Sequence, residues 1–173
     1  MAWGHYLFGF HGRINRAKIW LFVLIAIVVE IVAMILFSLF FGLSAMTMFA
    51  AGVHPGSLLA GGAMALLGTV LLLALCVALI VAGFAVAVKR LHDRDKSAAW
   101  LLVFYVLPLV LDVIGAAVAF SGRSGDMGST NPLGAVFSLA ALGIAIWAFV
   151  ELYCLRGTVG DNRFGPDPLA AKA

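Results

Sequence analysis

Charged side chains are scarce in this chain of 173 residues. Aspartate, glutamate, lysine and arginine make up only 11% of it, whereas hydrophobic residues make up 64%. A soluble domain needs about 25% charged residues, spread along the chain. Here the mean hydropathy is +1.13, and the few charges bunch between long apolar runs. This pattern excludes a soluble globular protein and is typical of transmembrane helices.

Cysteine is also scarce, which limits the chemistry that the chain can support. Cys76 lies within one apolar run and Cys154 at the end of another, and their spacing fits neither a disulfide framework nor a metal site. We expect free thiols that pack as small hydrophobic side chains. No catalytic motif stands out either. We therefore expect a protein without enzymatic activity, with no cofactor and no metal site.

The small positive net charge of the chain helps to predict which partners it binds. A formal net charge of +3 could suggest nucleic acid, but the basic residues flank the apolar runs. This placement favours contact with the anionic head groups of membrane lipids and predicts no nucleic-acid partner. A second copy of the chain, or another membrane protein, is an alternative partner.

Four long apolar runs predict four transmembrane helices. They cover residues 19–41, 58–88, 98–120 and 133–155. The second run is too short for two spans with a turn, so one long, tilted helix is expected. Residues 42–57 and 121–132 contain the glycine, proline and small polar residues of turns. The predicted fold class is all-α, an integral membrane four-helix bundle that forms a single domain over residues 1–173.

The distribution of lysine and arginine predicts the orientation of this bundle. Four spans place both termini and the central loop on one side of the membrane. These segments hold ten of the eleven lysines and arginines, and the two opposite loops share only Arg123. By the positive-inside rule, both termini are cytoplasmic. The aromatic and basic residues 1–18 should lie along the membrane surface as an interfacial segment.

Small residues at a spacing of four predict where the helices pack, because helices in lipid approach closely through small side chains. Such pairs or triplets occur on the last three spans: Ala74, Ala78 and Ala82; Gly115 and Ala119; Ala141 and Ala145. Chance is the alternative, since alanine is common in apolar helices.

Three polar segments lie on the predicted cytoplasmic side. They are Gly12-Arg13-Ile14-Asn15-Arg16 with Trp20; Arg90-Leu91-His92-Asp93 with Lys96, Ser97 and Trp100; and the tail segment 162–168, Asn-Arg-Phe-Gly-Pro-Asp-Pro. Their order around four spans resembles domain of unknown function family 805, small bacterial inner-membrane proteins. The resemblance covers nearly the whole chain. It implies a four-span protein of the bacterial inner membrane and brings no established activity or cofactor.

The chain departs from the family at three places. The family usually has Ile-Gly where this chain has Arg94-Asp95, and Gly before the tryptophan where this chain has Ala98-Ala99 before Trp100. Phe164 replaces a tyrosine. The added charges at positions 94 and 95 alter the loop after the second span.

All three segments fall on one face, which predicts that their polar side chains meet. The candidate cluster is Arg13, Arg16, Arg90, His92, Asp93, Asn162 and Arg163. We favour a structural clamp, in which Arg13 or Arg16 bridges Asp93, while Asn162 and Arg163 cap or pair the loop ends. Through this face the chain would bind lipid or a protein partner.

Two other interpretations of this face remain. An anionic lipid head group would bind to the four arginines of the cluster, Arg13, Arg16, Arg90 and Arg163. A metal or hydrolytic site would use His92, Asp93 and Asp161, although their spacing is not that of metal ligands and no nucleophile accompanies them.

Two carboxylic acids, Glu30 and Asp112, lie inside predicted spans, at roughly 17 and 21 Å from the cytoplasmic ends by helical rise. No lysine or arginine lies at that depth. We expect both to face the bundle interior as neutral, protonated acids. The alternative function is a small transporter or channel subunit that uses these two acids for a proton or cation pathway.

Overall fold

The computed structural model describes residues 3–50, 52, 54–121 and 131–170. Helices α1, α2 and α3 cover Trp3–Phe8, Arg16–Ala50 and Pro55–Asp93. A π-helical segment, Leu102–Val106, leads into α4, Leu107–Ser121, and α5, Leu133–Phe149, runs into a second π-helical segment, Val150–Cys154. The described residues contain four helices that are long and apolar enough to cross a membrane, which confirms the four predicted apolar helices.

Helices α2 and α3 are longer than the sequence predicted. The predicted loop 42–57 is wrong over Gly42–Ala50 and Pro55–Ser57, which are helical. The apolar stretch after Gly42 contains no proline before Pro55, so nothing removes a helical hydrogen bond there. The run 58–88 lies in one helix, as predicted. The polar turn 121–132, with Arg123, falls largely outside the described residues.

The two long helices approach each other closely near the loop that joins them. The hydroxyl of Ser44 donates a buried hydrogen bond of 2.9 Å to the carbonyl oxygen of Gly61. A Cβ atom at Gly61 would lie 2.7 Å from Cγ of Met48 and 3.1 Å from the carbonyl oxygen of Ser44, so a larger residue there would force these neighbours to shift. The small residues Ser44 and Gly61 thus allow α2 and α3 to stay in contact up to the loop that joins them.

The described chain divides into two compact units. One comprises the described residues of Met1–Phe8 and Trp20–Ala85, and the other comprises those of Gly9–Ile19 and Val86–Ala173. All three polar segments belong to the second unit, apart from Trp20. The second unit can therefore be examined for a site by itself.

In the second unit, α4 and α5 pack through small residues. A Cβ atom at Gly115 would lie 2.9 Å from the carbonyl oxygen of Gly134, and one at Gly134 would lie 2.8 Å from Cβ of Ala119. The predicted Gly115 and Ala119 seam is confirmed. On α5 the buried small residues are Gly134, Ala141 and Ala148, whereas Ala145 is exposed. These three residues are seven positions apart, the heptad spacing of two helices that wind along each other. The prediction used a spacing of four and therefore did not find Gly134 and Ala148.

Candidate functional site

The end of α3 fixes the position of the first functional side chain, Asp93. The N–H of Lys96 bonds to the carbonyl of Leu91 at 2.9 Å, and that of Asp95 bonds to the carbonyl of His92 at 3.1 Å. Asp95 adopts a φ of 54°. This is a Schellman motif, whose left-handed position is usually glycine and tolerates aspartate or asparagine best among other residues. The helix therefore stops immediately after Asp93.

Asp93 lies between two arginines in a buried cluster. Its Oδ1 accepts hydrogen bonds from Nε and Nη2 of Arg13 at 3.3 and 3.2 Å, and its Oδ2 pairs with Nη1 of Arg90. The side chains of Arg13, Arg90 and Asp93 are only 1%, 0% and 4% exposed. The prediction that Asp93 lies within ion-pair reach of Arg13 is confirmed.

The remaining donors of these two arginines bind backbone carbonyls. Arg13 donates to the carbonyls of Thr158 and Gly160, both at 2.7 Å. Arg90 donates to the carbonyl of Leu152 at 2.9 Å and to that of Leu155. Two guanidinium groups and one carboxylate leave a net positive charge, which carbonyl dipoles balance. Among the described residues, every buried side-chain nitrogen and oxygen has a hydrogen-bond partner.

This burial rules out two members of the expected head-group site. Arg13 and Arg90 are enclosed and their donors are occupied, so neither can reach a lipid phosphate. Arg163 is exposed, but its guanidinium pairs with the carboxylate of Asp95 at 3.1 Å and donates to the Asp95 carbonyl. Of the four arginines expected to bind a head group, Arg13 and Arg90 are thus occupied by partners within the protein, whereas Arg16 and Arg163 are exposed.

The tail covers the end of α3 and satisfies its last carbonyls. The N–H of Thr158 donates to the carbonyl of Asp93 at 2.8 Å, and Nδ2 of Asn162 donates to that of His92 at 2.9 Å. The ring of His92 stacks on Phe164 with centroids 4.0 Å apart. The prediction that the tail caps or pairs the loop ends is confirmed for Asn162 and Arg163.

A second ion cluster joins the loop after α3 to the second π-helical segment. The Oε1 atom of Glu151 lies 3.0 Å from Nε of Arg94 and 2.7 Å from Nζ of Lys96. Lys96 also lies 4.7 Å above the ring of Trp100. Sequence reasoning did not pair Glu151 with either residue, because both partners lie far from it along the chain. The charges at positions 94 and 96 were the only available signal.

The residues of the suggested metal or hydrolytic site have separate partners. His92 Nδ1 lies 3.3 Å from the carbonyl oxygen of Gly12, while Asp93 is held by arginines. Asp161 is exposed and accepts a hydrogen bond from the N–H of Asp167 at 3.0 Å. In the described ranges, no three His, Cys, Asp or Glu side chains are grouped to hold a metal ion.

Beside the buried cluster lies an open cleft of about 210 Å³. Its lining combines polar or charged residues with apolar ones, from the start of α2, the end of α3 and the tail: Asn15, Arg16, Asp93, Arg156, Gly157, Thr158, Val159, Asp167, Pro168 and Leu169. This volume is below the ~300–1,000 Å³ of clefts for drug-sized ligands. The cleft therefore suits a group of the size of a lipid head group.

Two cleft arginines differ from those of the buried cluster. The side chains of Arg16 and Arg156 are exposed. Within the part of the chain that the structure describes, neither guanidinium forms an ion pair. Both can therefore take a ligand from outside the protein.

The cleft also contains one accessible carboxylate, that of Asp167. Its Oδ1 accepts the N–H of Leu169 and its Oδ2 accepts the N–H of Gly160, each at 2.9 Å. These two backbone hydrogen bonds lower the pKa of the Asp167 carboxyl from its ordinary value. The carboxylate is therefore charged and fixed in place. Asp93 also borders the cleft, but it is 2% exposed and fully paired.

The two intramembrane acids belong to different compact units. Glu30 lies on an exposed face of α2, and Asp112 lies on an exposed face of α4. Their expected place in the interior of the whole bundle stays a prediction, because the two units are described separately.

Comparison with known proteins agrees with these features. The family described as protein of unknown function (DUF805) matches residues 7–166. Inner membrane protein YhaI of Escherichia coli K12 is 26% identical over 160 residues, covering 92% of this chain and 86% of the relative. Inner membrane protein YhaH of the same strain is 27% identical over 161 residues, covering 92% and 87%. No solved structure matches significantly.

Proposed function

The chain belongs to the DUF805 family of proteins of unknown function, and we propose that it is an inner-membrane protein without enzymatic activity that binds phospholipid head groups. The binding site is the cleft that contains Arg16 and Arg156. Its ligand is the phosphate group that every phospholipid carries. The proposal narrows the wider prediction of a lipid- or protein-binding module to one site and one class of ligand.

One observation carries this proposal: the cleft holds the two arginines that the described structure leaves without an ion pair. The other arginines near the site, Arg13, Arg90, Arg94 and Arg163, are engaged by carboxylates and carbonyls. A guanidinium presents a planar fork of donors that matches phosphate oxygens. Arg16 and Arg156 are therefore the arginines available for a phosphate.

The position of these arginines along the chain supports a lipid as the source of the phosphate. Arg16 is the first residue of α2, and Arg156 comes two residues after the last span-forming residue, Cys154. Residues at the ends of membrane-crossing helices lie at head-group depth. A phosphate in the cleft would thus be at the level where lipid phosphates lie.

The alternative function, a small transporter or channel subunit, has less support. A polar cavity reaching Glu30 would favour it. The cavity beside Glu30 is instead lined by apolar side chains, those of Phe22, Val23, Ala26, Ile27 and Ile31.

Native mass spectrometry from lipid tests the proposed site. Arg16→Gln and Arg156→Gln should each lower the retention of bound phospholipid by about tenfold, the loss expected for one charge-assisted hydrogen bond. Arg163→Gln is the matched control, because this arginine is exposed but lies outside the cleft lining. Equal retention by all three variants and the parent would overturn the proposal, and retention of a protein instead of lipid would favour a protein partner.

The cytoplasmic orientation of the site has its own test. His54 lies in the loop between α2 and α3, and Ser97 lies in the loop after α3. In a chain with Cys76 and Cys154 replaced by alanine, a cysteine at position 54 should react with an impermeant thiol reagent in whole cells. A cysteine at position 97 should react only after the cells are opened. The reverse result would reject the orientation given by the positive-inside rule.

A further inference from the structure

The charges of the cleft favour a ligand more specific than a phosphate group alone. We propose that the cleft recognises a zwitterionic head group, a phosphate ester that carries a primary ammonium, with the phosphate on Arg16 and Arg156 and the ammonium on Asp167. This inference rests on the proposed function and names the ligand of the same site.

Both signs of charge are present in this small cleft. The residues that line this cleft of about 210 Å³ include two exposed arginines, Arg16 and Arg156, and one accessible aspartate, Asp167. A purely anionic head group would put its negative charge in the same cleft as Asp167, and like charges repel strongly at short range. A ligand that carries separate positive and negative groups can pair with both the arginines and the aspartate.

In the described part of the chain, these cleft charges form no ion pairs with one another. Among the described residues, neither Arg16 nor Arg156 lies within ion-pair distance of Asp167. The protein therefore holds opposite charges apart in one cleft. A two-carbon amino alcohol esterified to phosphate holds its ammonium and its phosphate apart in the same way.

The Asp167 carboxylate keeps acceptor positions for a ligand. Each oxygen accepts one backbone N–H, from Leu169 or Gly160, and so keeps one free acceptor position. A primary ammonium has three N–H donors and can use these positions. A trimethylated ammonium has the same charge but no N–H donor. The site should therefore distinguish a primary from a quaternary amine.

Lipid titrations read by native mass spectrometry test this inference. The probes are phosphatidylethanolamine, phosphatidylcholine and phosphatidylglycerol with identical acyl chains. We expect phosphatidylethanolamine to bind the parent protein about tenfold more tightly than either of the others, because one charge-assisted hydrogen bond is gained. Equal binding of the ethanolamine and choline lipids would overturn the inference.

The variant Asp167→Asn tests the carboxylate directly. It should remove the preference for the ethanolamine lipid and leave binding of phosphatidylglycerol intact or stronger. Asp95→Asn is the matched control, since this aspartate is exposed and does not line the cleft. The lipid series on the parent protein decides the question even if Asp167→Asn proves unfolded. A preference that survives in a folded Asp167→Asn variant would contradict the assignment.

Two further outcomes separate this inference from the proposed function and identify the source of the ligand. If phosphatidylglycerol binds best and depends on Arg16 and Arg156, the head-group site stands and the zwitterion assignment is wrong. If no lipid depends on these arginines, the proposed function itself fails. Competition with free phosphoethanolamine distinguishes the sources: displacement of the lipid at equal concentration would identify a soluble ligand with the same chemistry.

Discussion

Gly157 lies directly against the carboxylate of Asp93, so that a Cβ atom at position 157 would overlap Oδ2 of Asp93. The carboxylate cannot move away freely, because Arg13 and Arg90 hold it from the other sides. Gly157 is not among the described glycines with positive φ. Its role is therefore to leave space for the buried ion cluster.

The first prediction follows from this contact. Gly157→Ala should destabilise the protein by about 3–5 kcal/mol, the cost typical of breaking a buried ion pair, because the added methyl displaces Asp93 from its arginines. Thermal unfolding in detergent would measure the effect. Gly143→Ala is the control: no atom lies within 4 Å of its Cβ position, and alanine favours a helix over glycine. Equal melting of both variants and the parent would contradict the prediction.

The second prediction compares two aspartates two positions apart. Asp93→Asn should destabilise the protein by about 3–5 kcal/mol, and Asp93→Ala at least as much, because both leave buried arginines without their counter-charge. Asp95→Asn makes the same chemical change in an exposed pair with Arg163 and should cost less than about 1 kcal/mol. If Asp93→Asn melts like Asp95→Asn, the cluster does not stabilise the fold.

The third prediction concerns the backbone at Asp95, where the family usually has glycine. Left-handed φ costs an ordinary L-residue about 1–2 kcal/mol and costs glycine nothing. Asp95→Gly should therefore melt at or above the parent, despite the loss of an exposed ion pair. Asp95→Val, which cannot adopt this φ easily, should melt lower. A clear loss of stability in Asp95→Gly would mean that the pair with Arg163 outweighs the backbone effect.

Much of this architecture could be predicted from the sequence because hydrophobic length alone selects membrane-crossing helices. The pairing of Asp93 with Arg13 was also predictable. Charges at the ends of neighbouring spans must find partners near the membrane surface. The exact bounds of α2 could not be predicted, because an apolar run does not show whether a helix stops at a glycine or continues to the next proline.

The finer contacts of the site depend on how the tail folds back, which no local pattern encodes. The pair of Glu151 with Arg94 joins residues 57 positions apart. The contact of Gly157 with Asp93 depends on the same return of the chain. Periodicity gave no buried face for Glu30 or Asp112, because all faces of their helices are rich in apolar residues.

The last prediction concerns these two intramembrane acids. Both lie on exposed helix faces within apolar helices, and an ionised carboxylate facing lipid would cost about 2.5–3.5 kcal/mol on insertion scales. We therefore still expect them to be protonated at neutral pH. Glu30→Gln and Asp112→Asn should fold and melt like the parent, within about 0.5 kcal/mol, because an amide resembles the neutral acid.

Glu151→Gln provides the matched control for these amides. This glutamate is buried and pairs with Arg94 and Lys96, so its amide should destabilise the protein while those at positions 30 and 112 do not. Infrared difference spectra of the carboxyl stretch, with each variant used to assign its signal, would measure protonation directly. Ionised signals at neutral pH for both Glu30 and Asp112 would contradict the prediction. They would mean that a cation, water or another protein covers these carboxylates in the membrane, since lipid alone cannot stabilise them.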